Sequence, residues 1–152
     1  GLAYAKSQIA AGNRIPLHGT VFISLNDRDK ANMGTLGKDL ADLGFRIMAT
    51  RGTAAALRAQ GIEVEMVYKV GEDRPHIVDR MINGEVHWII NTPLGMASKY
   101  DERAIRRTAL ERGLPTMTTL AAAKAAVLAV RAMRTGDLTV RSLQEYHDIG
   151  NR

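Results

Sequence analysis

Thr20-Val-Phe-Ile-Ser-Leu25, closed by Asn26-Asp27, is the stretch on which the fold turns. It is a short apolar run rich in β-branched and aromatic residues, and Gly19 and Asn26-Asp27 bound it. That combination reads as a buried strand. The residues that follow change period. Met33, Leu36, Leu40 and Leu43 recur at the spacing of one helix face, so a single helix is expected, capped by Asn26 or Asp27 and ended by Gly44.

Outward from this pair the alternation repeats. Phe45–Ala49 reads as a strand, and Thr50-Arg51-Gly52-Thr53 as a turn opening a helix that runs through Ala59 and stops at Gly61. Val64–Tyr68 is a third strand, followed by a polar loop, Lys69 to Arg74. Pro75 suits the first turn of a helix carrying Ile77, Val78, Met81 and Ile82. Val86–Ile90 is a fourth strand, and Asn91 to Gly95 a loop. A basic helix is expected over residues 102–112, a short fifth strand over 115–118, and an Ala-rich helix capped by Thr119 and stopped at Gly136. A last helix is expected over Val140–His147. Strands alternating with helices through short connections, with no Asn-Gly hairpins between strands, predict an α/β fold. The expected form is a Rossmann-like three-layer sandwich with a five-stranded parallel sheet.

Composition sets the outer limits. A chain of 152 residues fits one domain and buries a core without covalent staples. With no Cys, disulfides, thiolate metal sites and Cys nucleophiles are excluded, and a reducing compartment, the cytoplasm, is expected. No apolar run approaches the ~20 residues of a membrane span. The histidines, His18, His76, His87 and His147, lack metal-ligand spacing, so no metal site is expected. Leu2, Ala5 and Ile9 have helical spacing before Gly12-Asn13. Residues 1–18 therefore read as the tail of a preceding domain and a linker, and 19–152 as the domain proper, expected to be cut from a longer subunit.

The net charge of +5 invites a nucleic-acid reading. Arg103, Arg106 and Arg107 share a helix face. Yet aromatics are only 5%, with no RNA-stacking motif, and Asp101, Glu102 and Glu111 stand nearby to balance the charge, so no nucleic-acid partner is expected.

In open parallel sheets, ligands bind beyond the carboxyl ends of the strands. In strand order those ends carry Asn26, Asp27 and Lys30; Thr50 to Thr53; Lys69; Asn91-Thr92; and Thr118-Thr119. Lysines, hydroxyls, an amide and a glycine at a helix start suit an anion, phosphate above all.

These residues carry a resemblance. Gly19–Ser24 with Asp29-Lys30, then Ala49–Thr53, Lys69–Ile77 with its Arg-Pro-His-Ile, Ile89–Pro93, Ile105–Arg107 and Thr118–Leu120 resemble the methylglyoxal-synthase-like domain. The likeness is greatest to the copy at the C-terminus of the large subunit of carbamoyl phosphate synthetase. It implies a non-catalytic allosteric domain that binds a nucleotide monophosphate such as UMP or IMP. The effector-binding positions implied are Lys30, Thr50, Thr53, Lys69, Asn91 and Thr92, with help from the Gly52 backbone. The partners implied are the rest of the large subunit and the small glutaminase subunit. No cofactor is implied for this stretch; ATP with Mg or Mn belongs to the longer enzyme. Pro93 stands where a second Thr is frequent in the family. Thr116 stands where an ornithine-binding Tyr is expected beside Thr118, so ornithine is not expected to bind.

The alternative is a methylglyoxal synthase acting on dihydroxyacetone phosphate. That chemistry needs paired carboxylates beside the phosphate. The family's Trp-Asp-Pro-Leu loop reads Asn91-Thr92-Pro93-Leu94 here, and Asp73 alone does not restore the pair.

Overall fold

A computed structural model describes residues 14–95 and 99–136, together with Ala3, Lys6 and Ser7, which are helical. The rest of the helix expected before Gly12, and all of the final one over Val140–His147, lie outside the described residues.

The strands are β1 Thr20–Leu25, β2 Arg46–Thr50, β3 Glu65–Val67, β4 Trp88–Thr92 and β5 Thr116–Met117. The helices are α1 Asp27–Asn32, α2 Leu36–Asp42, α3 Arg51–Ala59, α4 Ile77–Ile82, α5 Lys99–Arg112 and α6 Leu120–Arg134. The five strands pair in parallel in the order β3-β2-β1-β4-β5. The expected α/β fold with a five-stranded parallel sheet is therefore present. The chain builds outward from β1 to β3, then returns to place β4 on the other side of β1. The order reverses between β1 and β4, and a crevice opens there beyond the carboxyl ends.

Alternation along the strands supplies both faces. Val21, Ile23 and Leu25, Ile47 and Ala49, and Trp88 and Ile90 join a cluster with Leu36, Leu40, Ala54, Leu57, Val127 and Val130. So α2, α3 and α6 cover that side. Phe22, Met48 and Ile89 face the other way, onto Ile77 and Met81 of α4 and Ile105 and Ala109 of α5. Ile15, on the linker side of the expected boundary, is buried in the larger cluster.

Several elements differ from expectation; α5, for one, begins at Lys99 rather than at residue 102. The helix expected from Asp27 to Leu43 is two helices. Gly34 sits between them at φ +57°, a left-handed conformation that ends α1, and Leu36 N–H donates to Met33 O at 3.2 Å. The apolar spacing survives because Met33, just after α1, joins Leu36 and Leu40 of α2 in one buried cluster, while α1 itself buries no residue. β4 begins and ends two residues later than expected. Asn91 and Thr92 pair with Ser24 and Leu25, so pairing with β1 overrides the turn preference of Asn-Thr-Pro. His87, just before β4, is tied to β1 twice: its backbone N–H donates to Thr20 O at 2.9 Å, and its Nδ1 accepts from Thr20 N–H at 3.0 Å. Pro75 is outside α4, since His76 is the N-cap and shares a capping box with Asp79.

Candidate functional site at the β1–β4 crevice

A cavity of about 320 Å³ lies beyond the ends of β1, β2 and β4. Register explains its polar floor. Ser24 pairs with Asn91, and Phe22, two residues before Ser24, pairs with Met48, two before Thr50. Side chains at matched positions of parallel strands point to one face, so Ser24, Thr50 and Asn91 form a row at the end of the face that carries Phe22, Met48 and Ile89. All three line the cavity, and so do Lys30, Lys69 and Thr92. Ile77, Ile105, Pro93 and Leu94 supply apolar wall.

Thr50 is the N-cap of α3, yet its hydroxyl caps no backbone N–H. It lies 3.3 Å from Ser24 Oγ and 3.4 Å from Thr53 Oγ1. Thr53 is wholly buried and does not line the cavity; its Oγ1 accepts from Leu25 N–H at 3.0 Å. Its place is behind the site, tying α3 to the end of β1 and holding Thr50.

Gly52 also stands behind the lining. A Cβ there would meet Lys30 Nζ at 2.9 Å. Lys30, on α1, is therefore held between the bare Gly52 and Asp27 Oδ1, 2.7 Å away. That pairing holds the exposed Asp27 carboxyl below its ordinary range, through the hydrogen bond first and the charge second. Gly52→Ala is expected to raise the stability of the unliganded chain slightly, by less than about 1 kcal/mol, because alanine narrows the unfolded ensemble while Gly52 stands only in the first turn of α3. It is expected at the same time to weaken anion binding by displacing the Lys30 ammonium. Thermal melts with and without UMP check both directions.

Lys69 follows β3, where the chain turns: its backbone N–H donates to Glu72 Oε2 at 2.9 Å. Thr118 and Thr119 of the expected rim do not join this cavity. Thr119 caps α6 through Ala122 N–H at 3.1 Å. Thr116 and Thr118 line a separate hollow of about 250 Å³ with Arg106 and Leu110. Asp73 is exposed and off the cavity, its Oδ1 accepting from Arg74 N–H at 2.8 Å.

Spacing alone did not place Ser24, Asp101 and Glu102 in the site. Ser24's signal was its strand parity. The two acids arrive because the first turn of α5 folds over the crevice. Burial pushes the Asp101 carboxyl up, against the Lys69 charge, which pulls it down; Glu72 pushes up and His76 down more weakly. An acid whose folded pKa exceeds its unfolded one contributes stability below the unfolded value, and that contribution is lost as pH rises through the folded one. Asp101→Asn is therefore expected to raise the melting temperature at pH 7 relative to the unaltered chain. The difference should shrink as pH falls into the carboxylate range; melts at pH 7 and pH 4 check it.

At the edge of the crevice Arg106 pairs with Glu102, and further along α5 Arg107 pairs with Glu111 at 2.9 Å, so much of the basic face of α5 is balanced by its own acids. Among the described residues, no group of three or more His, Asp or Glu could hold a metal ion, and no helix is long and apolar enough to cross a membrane.

The model of the MGS-like domain family matches residues 32–118. The carbamoyl phosphate synthase large chain of Gemmatimonas aurantiaca is 50% identical over 149 residues, 98% of this chain and 14% of that protein. The large chain of Nostoc sp. is 47% identical, covering 96% of this chain and 13% of that one. The C-terminal section of the large chain from Methanopyrus kandleri is 48% identical, over 97% of this chain and 27% of that section. The chain thus spans only a small part of these relatives' length. The family match takes in all of β2, β3 and β4 with the helices between them, and the Thr50, Lys69 and Asn91-Thr92 positions of the crevice. By that match the chain belongs to the MGS-like domain family.

Proposed function

We propose that this domain is the allosteric unit at the C-terminal end of a carbamoyl phosphate synthetase large subunit, and that it binds a nucleoside monophosphate, UMP or IMP, in the β1–β4 crevice. The observation that carries this reading is the convergence of Lys30, Lys69, Thr50, Asn91 and Thr92 on one cavity at the point where the strand order reverses. The names of the relatives support the setting. Lys30 and Lys69 neutralise the phosphate, Thr50 and Thr92 donate hydroxyl hydrogen bonds, and the Asn91 amide orients phosphate or ribose. Thr53 and the bare Gly52 act from behind. The parent enzyme makes carbamoyl phosphate in the cytoplasm from bicarbonate and glutamine or ammonia with ATP and Mg or Mn, for pyrimidine and arginine synthesis, with a small glutaminase subunit. Regulation requires that the effector favour one arrangement of this domain against the rest of the subunit, since a ligand without differential affinity shifts nothing. Calorimetric titration of the 152-residue chain with UMP, IMP and ornithine tests the reading. Heat of binding with UMP or IMP supports it; none with either at millimolar concentration overturns it.

One observation favours a second reading. Asp101, a carboxyl pushed up by burial, lies in the same cavity as the lysines, which is where a proton-transfer group of a phosphate-eliminating lyase would need to be. Asp73 stands outside the cavity, so no second acid–base partner comes from that position. An assay for methylglyoxal from dihydroxyacetone phosphate separates the two: turnover favours the lyase, and its absence the regulatory domain.

A further inference from the structure

Asn26 immediately follows β1 and is the N-cap of α1. Its Oδ1 accepts from Asp29 N–H at 2.9 Å, the ordinary work of a cap. Ser or Asp would cap about equally well, and Thr somewhat less so. Among those cap residues only Asn also carries an NH₂ group, and here that group is used. Nδ2 donates to Asp29 Oδ2 at 2.9 Å, to Thr92 O at 3.0 Å and to Thr92 Oγ1 at 3.2 Å. The Asn26 backbone N–H donates to the same Thr92 Oγ1 at 3.3 Å.

A threonine hydroxyl has one proton and two acceptor lone pairs. Asn26 turns its backbone N–H, and an amide proton shared with Thr92 O, toward the acceptor side of this hydroxyl, and N–H groups only donate. The hydroxyl proton is then left to point away from Asn26. Thr92 is 3% exposed and lines the cavity. Among the described residues, no protein acceptor takes the proton of its hydroxyl. We propose that Asn26 is a positioning residue: it fills the acceptor side of the Thr92 hydroxyl, so that this hydroxyl meets a ligand in the crevice only as a donor, the form an anionic phosphate oxygen requires. The inference rests on the crevice being the phosphate site. It also gives a use for an Asn placed just past β1, beside the last residue of β4: one amide closes the helix, braces the end of β4 and sets the direction of a donor.

A double-mutant cycle tests it, with UMP as the probe and calorimetry as the readout, on the unaltered chain, Asn26→Ser, Thr92→Val and the double variant. Asn26→Ser keeps the cap and loses the amide. Each single change is expected to weaken UMP binding by roughly tenfold, the scale of one charge-assisted hydrogen bond. The double variant is expected to bind no more weakly than Thr92→Val alone, because Asn26 acts through the hydroxyl already removed. A purely structural role would not produce that coupling. Losses that multiply, or an Asn26→Ser chain that binds UMP as the unaltered chain does, overturn the inference and leave the phosphate site standing. Failure of the unaltered chain to bind UMP or IMP overturns both. Asn26→Gly provides an independent check if the Ser variant does not fold: glycine is a tolerated cap and brings no charge into the cavity that Asn26 lines, so UMP binding is expected to weaken by roughly tenfold, and unaltered affinity overturns the proposal.

Discussion

Lys69→Ala is expected to weaken UMP binding ten- to a hundred-fold while barely moving the melting temperature of the unliganded chain. The separation follows from how Lys69 is held. Its structural contact, the hydrogen bond to Glu72, is made by the backbone N–H, which alanine keeps. Its side chain is exposed and borders the cavity, so truncation uncovers no core. A contact between an ammonium and a phosphate oxygen contributes about 1.5–3 kcal/mol, and each ~1.4 kcal/mol is a factor of ten in Kd. At fixed UMP the ligand-induced rise in Tm then falls toward zero, since that rise grows with the logarithm of ligand over Kd. Lys30→Met is the companion, because it keeps the stem that lies against Gly52 and removes only the charge. Paired melts and titrations read both quantities. Unchanged affinity in Lys69→Ala would remove Lys69 from the site.

Trp88→Ala is expected to be the most damaging single substitution to stability. Trp88 is fully buried at the start of β4 and meets Phe45 edge to face, ring centres 5.5 Å apart. The larger side-chain cluster closes round it, with helices on that face already packed against Ile90 and Val21. Removing so large a side chain leaves a cavity that a packed interior does not fill, at a cost of about 3–5 kcal/mol. For a domain of this size that is a fall of roughly 10 °C or more in Tm. Trp88→Phe is expected to cost much less. The indole Nε1 has no hydrogen-bond partner among the described residues, so phenylalanine also removes a buried donor that makes no bond. Chemical denaturation of the two variants checks the order.

The sheet was legible because buried parallel strands and amphipathic helices write different periods. Val21 to Leu25 and Met33 to Leu43 carry those periods without interruption. What the spacing concealed were places where a partner outweighs a local preference. Gly34 splits a helix whose apolar face continues across the break, so periodicity is blind to the split. Asn91 and Thr92 look like turn residues, and only pairing with Ser24 and Leu25 makes them strand. The candidate site was legible where it follows strand ends, as at Lys30, Thr50, Lys69, Asn91 and Thr92, all of which line one cavity. The carboxyl-end rule was too generous at Thr118-Thr119, because Thr119 is spent on capping α6 and Thr118 lines a separate hollow. It was also too coarse within one turn of helix: Thr53 lies one helical step from Thr50 and ends up behind it. Asp101 and Glu102 were hidden because nothing local says which way the first turn of α5 leans.

The reversal of strand order also bears on how the chain acquires its ability to bind. Asn26 and Thr92 are 66 residues apart in sequence, and the crevice between their strands does not exist until β4 has docked on β1. Loop closure over that distance comes late and costs entropy before any contact repays it. The half that ends at β3 carries Lys30, Thr50 and Lys69 but not the opposite wall. On the proposed reading, a nucleotide would find its pocket only in chains that have completed the sheet. Such a ligand would be expected to slow unfolding rather than speed folding, so that occupancy of the crevice would report that folding is finished.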